Sequence, residues 1–241
     1  MRQRTVWLAG LAAGVLVWVA APELRWPARL FTALLLGPAP VAFVMQAGFA
    51  QALPLPLPRL PVYFGTIAAL WLLAVLAFVA ASLSGFTAFL LGLNALPPLL
   101  LLLWTGFIML ATGAIVIAFK AFGFHDDEIM RAITPVTRRE QAVFVAVALS
   151  AGICEELTFR SFLVPALLVA TGSLYAAIAF SAAAFGLLHA HQRAGGALRA
   201  TLLGVVLAIP FVMTGSVYPS MIAHALVDVL AGTWLARWLL R

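Results

Sequence analysis

The chain has 241 residues, of which 65% are hydrophobic and only 9% are charged. Together with a mean hydropathy of +1.12, this composition excludes a soluble globular domain and indicates an α-helical protein that crosses a membrane several times. The net charge of +6 does not indicate nucleic-acid binding, because the arginines fall in short gaps between apolar runs. We therefore predict an all-α fold, a polytopic transmembrane helix bundle.

Apolar runs of about 20 residues predict the membrane spans in chain order. About eight spans are predicted, near residues 6–21, 30–52, 62–82, 86–119, 141–170, 172–190, 199–214 and 217–236. The 86–119 run is long for one span, and Asn94, Pro97 and Pro98 interrupt it. It is therefore predicted to be either a kinked span or a re-entrant piece followed by a span. If this run crosses once and the N-terminus is inside, eleven arginines and lysines lie on the cytoplasmic side against two outside, which predicts that both termini are cytoplasmic.

One charged cluster lies inside the fifth predicted span. Glu155, Glu156 and Arg160 are the only charges between residues 141 and 170. Charged groups within a membrane usually pair or line a water-filled cavity, so such a cluster indicates a functional site. Glu156 and Arg160 are four residues apart and share a helix face, which predicts an ion pair. Glu155 is rotated by about 100° from Glu156 and is left free to react.

Two later segments carry the other candidate residues. Phe185 and His189 lie one helical turn apart at the end of an uncharged span, and His224 and Asp228 share a face of the last span. These groups can meet Glu155 only in the interior of the bundle. A glutamate with two histidines can activate water as a general base or hold a metal that does so. A carbonyl group inside a membrane most simply belongs to a peptide bond, so the predicted reaction is intramembrane proteolysis.

At these residues the sequence resembles the CPBP intramembrane proteases, which include the CaaX-processing Rce1-type enzymes and the bacteriocin-processing or Abi proteins. The motifs of that family are EExxxR, FxxxH and HxxxN or HxxxD. In this chain they run from Glu155 to Arg160, from Phe185 to His189 and from His224 to Asp228. Three short motifs in the right order, each in an apolar span, make the resemblance specific. It covers residues 140–236.

The resemblance implies a role for each motif residue. Glu155 and His189 would activate the attacking water, while His224 and Asp228 would bind or stabilise the oxyanion. Glu156, Arg160 and Phe185 would support them. The family more often has asparagine at the last position, and an aspartate donates a hydrogen bond only when protonated. A divalent metal such as zinc, held by Glu155, His189, His224 and Asp228, is therefore the alternative to a glutamic protease mechanism.

The sequence also predicts a division of the chain, its partners and its location. Residues 1–135 form N-terminal transmembrane helices of unassigned role, and residues 136–241 form the catalytic helical core. The expected partners are a membrane-embedded protein or peptide substrate and the lipid bilayer, with no nucleic acid, and the expected location is the bacterial inner membrane. A CaaX tail, a leader peptide and a C-terminal sorting signal all fit such a site.

Two other functions are compatible with buried charges. A catalytically silent membrane scaffold or immunity protein on the same fold is the main alternative, although a silent relative is expected to have lost part of the motifs. A proton-coupled transporter would use similar carboxylates, but the sequence shows no paired half-repeats with broken helices.

Overall fold

The fold is given by a computed structural model that describes residues 2–50, 57–124 and 128–235. In this part of the chain the regular structure is helical, and the only strand-like pairing is one isolated bridge between Leu93 and Ser216. The helices are α1 (Arg2–Ala20), α2 (Trp26–Leu36), α3 (Pro38–Ala50), α4 (Arg59–Leu83), α5 (Pro98–Ala121), α6 (Glu128–Ile133), α7 (Arg138–Glu156), α8 (Val164–Thr171), α9 (Leu174–Leu188), α10 (Arg193–Thr214) and α11 (Tyr218–Val229). Short helices of other types lie at Leu157–Leu163 and Leu230–Trp234, both π-helical, and at Ala190–Gln192.

Within the described residues, five apolar helical stretches are long enough to cross a membrane. They are Trp26–Gln46, Arg59–Leu83, Pro98–Ala121, Arg138–Thr171 and Ala190–Thr214. Two further apolar helices, Arg4–Ala20 and Leu174–Leu188, are shorter. The predicted class of fold, a polytopic transmembrane helix bundle, is confirmed. The cytoplasmic location of both termini stays a prediction.

The fourth predicted span differs from a single kinked helix. Residues 84–97 form turns and irregular backbone, in which Gly85 and Gly92 adopt positive φ angles. Helix α5 begins only at Pro98, where a proline is tolerated because the first helical N–H groups have no partner within the helix. The irregular segment is held by the turn after α10, since the Val217 backbone N–H donates to the Gly92 carbonyl at 2.9 Å. The structure thus has irregular backbone followed by one helix in place of a single kinked span, and re-entrance of residues 84–97 into the membrane stays a prediction.

The second predicted span is divided by a close contact between helices. The α2 and α3 helices meet at Gly37, which is followed by Pro38. A Cβ atom on Gly37 would lie 2.5 Å from the backbone nitrogen of Gly14 in α1. Small residues let membrane helices approach closely, and this contact packs α1 directly against the junction.

A π-helical segment interrupts the long helical stretch that begins with α7. A capping box of Thr137 and Glu140 starts α7, and the π segment follows directly after Glu156. Pro165 lacks an N–H group, and in a regular α-helix its ring would clash with the carbonyl four residues earlier. A local change to π geometry, in which the Val164 N–H donates to the Phe159 carbonyl, accommodates that proline. Arg160 therefore lies on the widened turn.

Glycines bring the motif-bearing helices together. The α7 helix packs against α4 and α11, and α9 packs against α8 and α10. A Cβ atom on Gly152 of α7 would lie 2.7 Å from the backbone nitrogen of Ala225 in α11, and one on Gly186 of α9 would overlap the Thr201 hydroxyl of α10. Any side chain at these two positions would separate the helices. The contacts place all three motifs in one region of the bundle.

Candidate active site

The innermost part of the site is an ion pair. Arg160 Nη1 donates to Glu156 Oε1 at 2.7 Å, and the two side chains are 1% and 0% exposed. Arg160 Nη2 also donates to the Gly204 carbonyl at 3.2 Å, and the guanidinium carbon lies 4.6 Å from the ring centre of Phe185. The pair that the four-residue spacing predicts is present. The additional hydrogen bonds and the ring contact offset the cost of removing these two charges from water.

His224 connects this pair to the outer part of the site. Its Nδ1 lies 2.8 Å from Glu156 Oε1. An ionised carboxylate only accepts hydrogen bonds, so Nδ1 donates. On the other side of the ring, His224 Nε2 lies 3.7 Å from Glu155 Oε2 and 3.6 Å from Asp228 Oδ2. One imidazole therefore contacts all three carboxylates of the motifs.

Glu155 has a different environment from its neighbour Glu156. Its side chain is 15% exposed, and among the described residues its buried Oε2 atom has no hydrogen-bond partner. Buried polar atoms are nearly always hydrogen-bonded to protein or to ordered water. A carboxylate that is partly exposed and has an unpartnered acceptor beside an imidazole is suited to bind and polarise a water molecule.

His189 and Phe185 form the wall opposite α11. His189 Nδ1 lies 2.8 Å from the Phe185 carbonyl, which only accepts, so Nδ1 carries the proton and neutral His189 has Nε2 as an acceptor. The Phe185 ring is 3% exposed. Its centre lies 4.5 Å from that of His189 and 6.0 Å from that of His224. This aromatic side chain thus contacts both histidines and the arginine.

All the predicted site residues lie in this region, and the roles that the resemblance implies for them stay predictions. The resemblance groups Glu155 with His189 and His224 with Asp228 by role, and the contacts of these side chains follow a different grouping. Here His224 contacts both Glu155 and Asp228, and no hydrogen bond or ion pair joins Glu155 to His189, two residues that the structure describes in full. The reason is local, because the Nδ1 of His189 turns back to its own helix. The side chains become more exposed outward, from 0% at Glu156 to 10% at His224 and 37% at Asp228.

Three contacts were not predicted from the sequence. They are the hydrogen bond between His224 and Glu156, the one from Arg160 to the Gly204 carbonyl, and the one from Ser181 Oγ to the Phe159 carbonyl at 3.0 Å. The first joins residues that are 68 positions apart. The other two use backbone acceptors, which leave no signal in side-chain patterns.

A bound divalent metal would require a close set of ligand atoms from these side chains. Zinc sites in proteins use three or four nitrogen, sulfur or oxygen ligands at about 2.0–2.3 Å. In the described part of the chain, no group of three His, Cys, Asp or Glu side chains is placed to hold a metal ion. Nδ1 of each site histidine is engaged, one by Glu156 and the other by a backbone carbonyl, so Nε2 is the nitrogen that each ring leaves for a ligand. The side chains as placed do not fit a divalent metal held by Glu155, His189, His224 and Asp228.

The fold and the site together define an integral membrane protein with a buried Glu–His cluster between three helices. Residues 138–230 match the family model of the type II CAAX prenyl endopeptidases, described as Rce1-like. The match includes all three motifs, and it confirms the resemblance for this part of the chain. It also supports a peptidase activity. No curated protein and no solved structure shows significant similarity to the chain.

Proposed function

We propose that the chain is an intramembrane endopeptidase in which Glu155 is the general base that activates water. The observation that carries this proposal is the Glu155 carboxylate, which is 15% exposed and has an Oε2 atom without a hydrogen-bond partner among the described residues, 3.7 Å from His224 Nε2. Glu156 Oε2 also lacks a partner there, but that side chain is 0% exposed and its Oε1 is held by Arg160 and His224. Hydrolysis requires an acceptor for a proton of the attacking water, within hydrogen-bond reach of that water. The family match supports the reaction class.

The reaction proceeds in two proton transfers. A water bound at Glu155 attacks the peptide carbonyl carbon and gives one proton to the Glu155 carboxylate. The carbonyl carbon becomes tetrahedral, and its former carbonyl oxygen carries a negative charge. The intermediate then breaks its C–N bond as protonated Glu155 returns that proton to the leaving nitrogen. One carboxyl group thus acts first as base and then as acid.

His224 is the group best placed to stabilise the oxyanion. Its Nδ1–H is held by the ionised Glu156 carboxylate, so a protonated ring would direct Nε2–H toward the space shared with Glu155 and Asp228. A fixed donor in a water-poor site stabilises a developing negative charge strongly. His189, with Nε2 as an acceptor, orients the water or the leaving amine.

Glu156, Arg160 and Phe185 position these groups. The ion pair fixes the carboxylate that orients His224, and the Phe185 ring packs between Arg160 and the two histidines. Asp228 is the most exposed of the three carboxylates and lies 3.6 Å from His224 Nε2. Its negative charge favours the protonated form of that imidazole, and its exposed position lets it contact the incoming substrate.

The substrate is a membrane-associated protein or peptide. A prenylated CaaX tail is the candidate that the family description names, while a leader peptide and a C-terminal sorting signal use the same chemistry. We assign the catalytic core to residues 136–241 and leave residues 1–135 as N-terminal transmembrane helices without an assigned role. The bacterial inner membrane is the proposed location.

The test compares the protein termini in the membrane and secreted fractions of cells that express the wild type or the Glu155→Gln variant at matched levels. The amide keeps the size of the side chain but is a poor proton acceptor. New termini that appear only with the wild type would support proteolysis and would identify the substrate at the same time.

A matched control is the Glu23→Gln variant, since Glu23 is an exposed carboxylate outside the three motifs. It should produce the same new termini as the wild type. Identical termini in all three strains, with the wild-type phenotype retained by Glu155→Gln, would contradict the proposal and favour the silent scaffold.

A further inference from the structure

A buried serine precedes each of the two histidine motifs by one helical turn. Ser181 lies four residues before Phe185 on α9, and Ser220 lies four residues before His224 on α11. On both helices the same spacing continues to the last residue of the motif. Residues four apart share a helix face, so each serine lies on the face that carries its motif.

Both serine hydroxyl groups bind the backbone of a neighbouring element. Ser181 Oγ donates to the Phe159 carbonyl of the π segment at 3.0 Å, and Ser220 Oγ donates to the Leu207 carbonyl of α10 at 2.7 Å. The two serines are 3% and 0% exposed. Each motif-bearing helix is therefore fixed to the next element one turn before its functional side chains.

The direction of these two hydrogen bonds is unusual for a hydroxyl group in a helix. Serine and threonine within a helix often donate to the carbonyl four residues earlier in the same helix. Several threonines of this chain do so, among them Thr158, Thr201 and Thr214. The hydroxyl groups of Ser181 and Ser220 act between elements instead.

The two serine bonds extend a set of hydrogen bonds that surrounds the site. Arg160 donates to the Gly204 carbonyl of α10, three residues before Leu207, and His224 donates to Glu156 on α7. Together these bonds link α9 to the π segment, the π segment to α10, α10 to α11, and α11 back to α7. Lipid tails are as apolar as leucine side chains, so membrane helices associate partly through such hydrogen bonds.

We propose that Ser181 and Ser220 are positioning residues, which hold the two site histidines in place relative to Glu155. Ser181 fixes α9 against the π segment and so fixes the position of His189. Ser220 fixes α11 against α10, so that His224 Nδ1 stays at Glu156 and Nε2 faces Glu155. This inference rests on the proposed function, because the two serines act on the same site.

The first readout is the ¹⁵N spectrum of the imidazole groups in the full chain, purified in detergent micelles with labelled histidine. The chain has four histidines, and the variants His189→Gln and His224→Gln identify the two site signals. Ser220→Ala should shift mainly the His224 signals, and Ser181→Ala should shift mainly the His189 signals. This readout does not depend on peptidase activity.

The matched control is Ser84→Ala at the end of α4. The Ser84 hydroxyl accepts from the Ala28 N–H of α2 at 2.9 Å, so this variant also removes a serine hydrogen bond between two elements, but outside the three motifs. It should leave the site signals in place. Unchanged site signals in both Ser181→Ala and Ser220→Ala would overturn the proposal. Equal shifts of both site histidines in all three variants would also overturn it, because general loosening of the bundle would explain them.

The second readout is the yield of new protein termini per amount of folded protein. Misplacement of a catalytic group by about 1 Å can cost about 100-fold in rate, so we expect a loss of about tenfold for each site serine and none for Ser84→Ala. A wild type without peptidase activity would contradict the proposed function, and the spectra would still decide the positioning roles. An active wild type whose two serine variants keep its spectra and its full yield would contradict the positioning roles alone.

Discussion

Glu155 and Glu156 are adjacent in sequence and identical in type, but the fold gives them opposite environments. Glu156 is completely buried, and its Oε1 is bound by both Arg160 and His224. Glu155 is partly exposed, and within the described structure its Oε2 has no hydrogen-bond partner. The difference shows how a helix separates two roles. Each carboxylate has an Oε2 atom without a hydrogen-bond partner in the described structure, so the two differ in exposure and in the partners of Glu156 Oε1. Glu156 is enclosed by its ion pair, and we propose that Glu155 takes part in the chemistry.

This comparison extends to the whole site. Its inner part, Glu156 with Arg160, is expected to control stability, because a buried charge that loses its partner is costly. Its outer part, Glu155 with His189 and Asp228, is expected to control activity with little effect on stability. Substitutions in the inner part should therefore lower the free energy of unfolding, and those in the outer part should lower activity.

The largest effect is expected from breaking the inner ion pair. Arg160→Met removes the positive charge and leaves the Glu156 carboxylate buried beside one histidine. Removal of one partner of a buried pair typically costs about 3–5 kcal/mol in the free energy of unfolding. Thermal unfolding of the purified protein measures the change. An unfolding temperature equal to that of the wild type would show that the pair does not stabilise the fold.

A loss of activity without a loss of stability is expected at the outer wall. His189→Gln removes the imidazole Nε2 acceptor from a partly exposed position. General acid–base groups typically contribute about 10²–10⁴-fold in rate, and we expect a loss near the lower end because Glu155 remains. The yield of new protein termini measures it, with unfolding as the control. Full activity would remove His189 from the proposed mechanism.

The contact between His224 and the two glutamates depends on the close packing of α7 against α11 at Gly152. Gly152→Val would force α7 away from Ala225 on α11, since even a Cβ atom there lies 2.7 Å from the Ala225 nitrogen. Overpacking usually costs about 1–3 kcal/mol, and activity should fall as His224 moves from Glu155. Gly113→Val on α5 is the matched control, because nothing lies within 4 Å of a Cβ atom there. Equal behaviour of the two variants would contradict the role of the close helix contact.

The smallest effect is expected at the outermost carboxylate. Asp228 is 37% exposed and lies 3.6 Å from His224 Nε2. Asp228→Asn keeps its size and adds a hydrogen-bond donor, so we expect less than a tenfold change in activity, below about 1.4 kcal/mol. Product yield at matched expression provides the measurement. A loss as large as that of Glu155→Gln would show that the charge of Asp228 takes part in the reaction.

Features set by local spacing could be predicted from the sequence. Apolar runs gave the helical membrane fold, and the separation of four residues gave the Glu156–Arg160 pair. The three motifs also indicated which side chains would meet.

Features set by packing between distant segments could not be predicted. The hydrogen bond between His224 and Glu156 depends on how closely α11 approaches α7 at Gly152, and no periodicity encodes that distance. The π-helical turn at Arg160 accommodates Pro165, and the sequence around it has the same apolar pattern as a regular α-helix. The irregular backbone before Pro98 is likewise fixed by contacts with the turn after α10.

The most direct test of the division between the two glutamates is a side-by-side comparison of Glu155→Gln and Glu156→Gln, with product yield expressed per amount of folded protein. The account predicts that Glu155→Gln folds like the wild type and yields no product. It predicts that Glu156→Gln unfolds at a lower temperature and that its folded fraction retains measurable activity. A stable but inactive Glu156→Gln together with an active Glu155→Gln would contradict the account.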